Sequence, residues 1–167
     1  MAHKRVDLLL DAVALLHADG MPVTCRVIGD GPERLSLRRQ ARALGIDHAV
    51  DFRPDVGEQD RLYALMKAAK VFVFPSAREG FGIAVLEALA CGLPVVTTSA
   101  PDNLARHLAA RSSASIICDP SAPAVAAAVK RVLAGRGSGD ADRLGEPWLA
   151  EYSWDATARR VAEALVL

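Results

Sequence analysis

Short apolar runs alternate with segments of helical spacing along nearly the whole chain, and this alternation restricts the fold more than any other feature. The runs at residues 23–28, 49–53, 71–74, 95–98 and 114–118 have the length of strands and are too short for helices. Between them, apolar residues recur every three or four positions: Leu9, Leu10, Val13 and Leu16; Leu37, Ala41 and Leu44; Leu62, Leu65, Met66 and Ala69; Val125, Val129 and Val132. Strands that alternate with helices predict a parallel sheet covered on both faces. About five strands are legible, and no internal repeat is visible. The order opens on a helix, which is unusual for a doubly wound domain, so an initial strand is expected to be missing from this chain.

Local signals mark the element ends. Pro32 suits the first turn of a helix, and Gly45 its end. Ser121 is placed to cap a helix that stops at Gly135. A helix is expected over 102–111. A last one over 153–166 is expected to bury Trp154, Ala158, Val161 and Leu165. The Gly-rich stretch 135–146 reads as a flexible loop within a single domain spanning 1–167.

Composition excludes several function classes. Apolar residues are 51% and charged residues 24% of the 167, an ordinary balance for a chain with a real core. The formal net charge is +0 and aromatics are 5%, which argues against nucleic acid as a partner. Cys25, Cys91 and Cys118 read as small core hydrophobes of a reduced compartment, not as a disulfide frame. His3, His17, His48 and His107 have no metal-ligand spacing. The start carries no signal-peptide pattern, and no apolar run approaches the roughly 20 residues needed to span a bilayer.

The chemistry concentrates in residues 75–87, Pro-Ser-Ala-Arg-Glu-Gly-Phe-Gly-Ile-Ala-Val-Leu-Glu. An apolar strand leads in and an apolar helix over 83–91 leads out. Gly80 and Gly82 let the backbone approach a ligand closely. The N–H groups that open the helix, together with its dipole, favour an anion such as a diphosphate. Glu79 offers two acceptors to sugar hydroxyls, and Glu87 stands about one and a half turns into the helix at 3.6 residues per turn. A ribose diol would suit Glu87. Taken singly, Glu79 reads as a helix cap and Glu87 as a solvated charge. Taken jointly, between Pro75-Ser76 and Gly92-Leu93-Pro94, they favour a ligand site.

Residues 71–98 resemble the signature of the retaining glycosyltransferases of family four. The likeness extends to Gly29-Asp30-Gly31-Pro32-Glu33, which resembles a Gly-x-Gly-Pro-Glu turn. Lys4, followed by Asp7 and a Leu-rich helix, resembles the lysine helix that opens the donor domain, and Tyr152-Ser153-Trp154 resembles the aromatic start of a closing helix. The resemblance implies an α/β, Rossmann-like doubly wound parallel sheet of about five or six strands flanked by helices. That sheet would be the C-terminal, donor-binding half of a two-domain GT-B architecture.

The implied function is transfer of a sugar, of hexosyltransferase type, from a nucleoside-diphosphate sugar to an acceptor. Glu79 and Lys4 would be catalytic, Glu79 on the transferred sugar and Lys4 on the leaving diphosphate. Donor-binding positions would be Gly29, Gly31, Arg53, Arg78, Gly80, Phe81, Gly82, Ile83 and Glu87. The resemblance implies no metal and no cofactor beyond the nucleotide-sugar donor, and an acceptor-binding N-terminal domain in cis or on a partner subunit. The reduced-compartment cysteines and the lack of a leader or spanning run read as a cytoplasmic location, membrane-peripheral at most for a full-length enzyme. Asp140-Ala141-Asp142 spells a manganese-binding string of a different fold and is read as a decoy.

Departures are specific. Arg5 replaces the glycine usual after the lysine. Arg53-Pro54 departs from a glycine-bearing turn. Ser99-Ala100-Pro101-Asp102-Asn103 replaces Gly-Gly-x-Pro-Glu, with Asn103 the candidate substitute for the usual donor-loop contact. Nothing in the chain supplies the acceptor domain, so it reads as an excised domain rather than a split subunit, inactive alone. The rival readings are a non-catalytic module that senses nucleotide sugars or supports a partner, and half of a sugar-nucleotide epimerase.

Overall fold

Side chains alternate across each strand, and that alternation sorts the core into layers. The computed structural model describes residues 2–135 and 147–165. A 3-10 turn over Ala2–Lys4 leads into α1 (Val6–Ala18), then β1 (Cys25–Ile28), α2 (Arg34–Ala43), β2 (Val50–Arg53), α3 (Gln59–Ala68), β3 (Phe72–Phe74) and β4 (Arg78–Glu79). The chain continues through α4 (Ile83–Ala90), β5 (Val95–Thr98), β6 (Asp102–Asn103), α5 (Arg106–Ala109), β7 (Ile116–Cys118) and α6 (Ala122–Ala134). A second 3-10 segment, Pro147–Tyr152, precedes α7 (Trp154–Leu165).

The strands pair in parallel as three ladders among the described residues: β3-β5-β7, β1-β2 and the short β4-β6. The expected α/β architecture of parallel strands and flanking helices is therefore present, but in smaller sheets than the single one of five or six strands. In β5, Val96 faces α1 and α6, packing with Leu8, Leu16, Val125 and Val129. Its neighbour Val95 faces the opposite layer, with Met66, Val85, Leu89 and Leu108. The central ladder is thus covered on both faces. Burying each large aliphatic side chain contributes about 1.5–3 kcal/mol.

The β1-β2 pair differs. Val23, Cys25, Val27 and Phe52 pack with Leu10, Val13, Ala41 and Ile46. The other face carries Arg26, Asp51 and Arg53, with Asp51 3.1 Å from Arg26 and 2.9 Å from Arg53. One covered face and one polar face correct the expectation of helices on both sides here.

Further corrections are local. α2 starts at Arg34, two residues past Pro32, which sits in the preceding turn. The helix expected over 102–111 shrinks to Arg106–Ala109, because Asp102 and Asn103 pair with β4 instead. Trp154 is 89% exposed and Ala158 is also exposed. Trp148, Leu149 and Tyr152 pack against the core in their place. The cap at Ser121 is as expected, its hydroxyl accepting from the Ala124 N–H at 3.4 Å. The stretch 136–146, with the Asp-x-Asp string, lies outside the described residues, as do the side chains of Val161 and Leu165. No helix among the described residues is long and apolar enough to cross a membrane.

Candidate functional site

The site is assembled at the carboxyl ends of β3 and β5, where open α/β sheets bind ligands. Past β3 the chain turns at Ser76 and Ala77 and forms β4, which pairs Arg78 with Asp102 and Glu79 with Asn103. The Leu104 N–H closes this bridge on the Glu79 carbonyl at 2.9 Å. Gly80, Phe81 and Gly82 then turn the chain into α4.

Gly82 has φ 90°, in the left-handed region. An added Cβ there would collide with the Cβ of Ala105 and lie 3.2 Å from its Cα. Only glycine fits both conditions. No side chain caps α4, so the amides at its start are left for another partner. The Glu79 side chain lies against the same turn, its Cγ 3.7 Å from where a Gly82 Cβ would stand.

Lys4 arrives from the far end of the sequence. Its ammonium donates to Glu79 Oε2 in a short ion pair and stands 5.2 Å from the centroid of the Phe74 ring. Glu79 is 19% exposed in this pair. The residue after Lys4 is backbone-strained: Arg5, at φ 50°, is the single non-glycine residue with positive φ among the described residues. The departure from glycine at that position therefore retains a glycine-like conformation. The Arg5 guanidinium is held 3.1 Å from Asp7, and that hydrogen bond raises its pKa above the ordinary value.

The remaining predicted residues fall into two groups. Phe81 and Ile83 flank the α4 turn and are 44% and 65% exposed, with the Phe81 ring 5.8 Å from that of Tyr152. Arg78 is exposed beside them. Glu87 accepts from the Tyr63 hydroxyl of α3 at 3.3 Å. Burial first, and then the Glu87 carboxylate, raise the Tyr63 phenol above its ordinary range. Gly29, Gly31 and Arg53 lie at the ends of β1 and β2, where the Gly29 N–H donates to the Arg53 carbonyl at 2.8 Å, and Glu33 at the end of that turn lines one cavity with Ala2 and Arg5. The Arg53 Nε donates to Asp51 at 2.9 Å. Burial would raise that carboxylate, but hydrogen bonds from Arg26 and Arg53 lower it overall. Asn103 does not face outward. It is fully buried, and its amide nitrogen donates to Thr97 Oγ1 and the Thr98 carbonyl at 2.9 and 3.0 Å.

Two participants escaped sequence reasoning. Tyr63 is 24 residues from Glu87, and a mid-helix tyrosine carries no local signal. Ser76 was visible only as part of a Pro-Ser pair, yet it lies fully buried under the turn. No cluster of three or more His, Cys, Asp or Glu side chains able to hold a metal occurs among the described residues. The three cysteines are free, and burial pushes the Cys25 thiol up to about 11.

This arrangement places a cation, a carboxylate and uncapped helix amides around one glycine turn, a set able to receive an anion and hydroxyls together. Comparison with known proteins gives the family and the fold. The chain is 30% identical over 162 residues to the GDP-mannose-dependent alpha-(1-6)-phosphatidylinositol dimannoside mannosyltransferase of Mycobacterium tuberculosis, covering 97% of this chain and 40% of that protein. It thus spans about two fifths of the length of that curated relative. The solved sucrose-phosphate synthase of Thermosynechococcus elongatus superposes with a TM-score of 0.78 at 25% identity, over 98% of this chain and 42% of that one. The Anabaena HepE structure, in complex with UDP, superposes with a TM-score of 0.75 at 24% identity, over 99% of this chain and 46% of that one. The parallel sheets and their flanking helices match those of GT-B glycosyltransferases. Residues 1–146 match the model of the glycosyl transferases group 1, and the chain belongs to that family.

Proposed function

We propose that this chain is the donor-binding, C-terminal half of a retaining, family-four glycosyltransferase of hexosyltransferase type. The observation that carries the reading is the Lys4–Glu79 ion pair lying against Gly82 at the uncapped start of α4. A nucleoside-diphosphate sugar would set its phosphates on the α4 amides and the Lys4 ammonium. Charge that develops on the departing diphosphate would meet preorganised donors there. Glu79, released from Lys4, would accept hydrogen bonds from hydroxyls of the transferred sugar. Glu87, oriented by Tyr63, would hold the ribose diol. Lysine and helix amides supply the positive charge that a metal supplies elsewhere, so binding needs no metal.

The acceptor site and the groups that activate the acceptor belong to another domain, in cis or on a partner subunit. The relative from M. tuberculosis depends on GDP-mannose, and the solved HepE structure holds UDP. The base is therefore an open variable, and the test spans it. Titration calorimetry with UDP, GDP and ADP is expected to show weak binding of at least one. Glu87→Ala is expected to weaken it, EDTA to leave it unchanged, and the chain alone to transfer no sugar. Absence of nucleotide binding would favour a module that only supports a partner. Binding indifferent to Glu87 would refute the assignment of the ribose.

A further inference from the structure

Four polar residues at the carboxyl ends of β3 and β5, Ser76, Thr97, Thr98 and Asn103, have no exposed surface at all. Burying a hydroxyl or amide costs about 1–3 kcal/mol unless it is bonded, so their bonds show what they hold. Ser76 is the informative one. Its single hydroxyl proton lies within reach of two carbonyls, that of Arg78 at 2.8 Å and that of His3 at 3.1 Å. Those carbonyls belong to the residues immediately before Glu79 and Lys4. The Ala77 N–H adds a second bond to the His3 carbonyl at 2.7 Å.

Behind Ser76 the network is anchored in the sheet. Thr98 Oγ1 donates to the Ser76 carbonyl at 3.0 Å, and Asn103 ties the Thr98 carbonyl to Thr97 Oγ1. Thr97 Oγ1 in turn donates to the carbonyl of Phe74 at 2.7 Å. The Phe74 ring is the one over which the Lys4 ammonium stands.

We propose that Ser76 is a positioning residue of the donor site, which sets Lys4 against Glu79 by holding the backbone in front of both. This rests on the donor-binding reading. With both backbones held, a diphosphate recruits Lys4 by side-chain rotation alone and need not order the strap over residues 2–5. Ser76 itself touches no ligand.

A double-mutant cycle tests it. UDP and GDP, and UMP and GMP as controls lacking the second phosphate, are titrated calorimetrically into the wild-type chain, Ser76→Ala, Lys4→Ala and the double variant. Ser76→Ala is expected to weaken diphosphate binding about fivefold, the equivalent of one ordinary hydrogen bond, and to leave monophosphate binding unchanged. In the Lys4→Ala background the same substitution is expected to have no further effect. Hydrogen exchange of the Ala77 amide is expected to speed up in Ser76→Ala, while that of Val96 stays slow. If Ser76→Ala does not fold, Ser76→Cys, which keeps the volume and a weak donor, carries the same cycle. Equal losses in both backgrounds, or none in either, would overturn the proposal alone. A wild-type chain that binds neither diphosphate would overturn the donor reading and this proposal with it.

Discussion

Two glycine turns lead from a strand into a helix in this molecule, one after β1 at Gly29–Glu33 and one after β4 at Gly80–Gly82, and they are built on different grounds. Gly29 has φ 131°, yet an added Cβ would meet nothing within 4 Å. Gly82 has both a left-handed backbone and Ala105 against it. The first turn is glycine for conformation alone; the second is glycine for conformation and contact. The charges beside them differ in the same way. Arg53 is committed to Asp51 on its own strand, whereas Lys4 comes from 75 residues away to meet Glu79. A turn whose every neighbour is specified can hold a ligand in one geometry. A turn open to solvent can only tolerate one.

The largest expected effect separates the two glycines. Gly82→Ala combines a left-handed backbone with a clash against Ala105, at a cost of about 3 kcal/mol or more. For a chain of this size that lowers the melting temperature by on the order of 10 °C. Gly29→Ala carries the conformational term only, about 1–2 kcal/mol. Thermal melts followed by circular dichroism read both, and equal shifts would break the distinction.

The next effect separates the two cations. Lys4→Ala removes a charged donor from the anion-binding turn and is expected to weaken UDP or GDP binding about tenfold or more. Arg53→Ala loses an exposed pair with Asp51, of the kind worth about 0–1 kcal/mol, and is expected to change the same affinity by no more than about twofold. A larger loss at Arg53 than at Lys4 would move the centre of the site to the β1-β2 end.

The contrast also explains what could be read from the chain before its structure. The strand over Val95–Thr98 and the helix over Ala122–Ala134 follow from local periodicity and one capping serine, so they were legible. The glycine turn at 80–82 was legible as well, because glycine at a strand-to-helix junction has few other uses. What packs against it was not. Ala105 carries no signal that it faces Gly82, and the carbonyls that Ser76 holds have no side-chain code at all. Asn103 looked like an outward-facing substitute for a donor contact, but its amide nitrogen turns inward to one hydroxyl, that of Thr97, and to the backbone carbonyl of Thr98, an acceptor that no side-chain pattern announces. Trp154 failed for a related reason: an apolar stripe at helical spacing states that a face wants cover, not that this chain supplies it. At 89% exposure it leaves the core to Trp148 and Tyr152.

The smallest expected effect concerns the backing of the packed turn. Phe81 lies against Tyr152, and the segment Pro147–Tyr152 is held by Arg111, which stacks 4.1 Å from the centroid of Trp148 and pairs with Glu151 at 2.9 Å. The turn after β1 is held by local contacts instead, the Gly31 N–H donating to Asp30 at 2.9 Å and Arg34 standing 3.8 Å from the same carboxylate. The Arg111 hydrogen bond, chiefly, lowers the Glu151 carboxyl below its ordinary range. A carboxylate with a lowered pKa adds its stabilisation above the unfolded value, about 4.3, and loses it as pH falls through the lower folded value. Acidification below about pH 4 should therefore loosen this segment. The pair is exposed, so the loss is small. Trp148 emission in a Trp154→Phe background, titrated from neutral to acid pH, should report a transition that Glu151→Gln abolishes. A transition that persists in Glu151→Gln would assign it to other carboxylates and leave the packed turn no better braced than the open one.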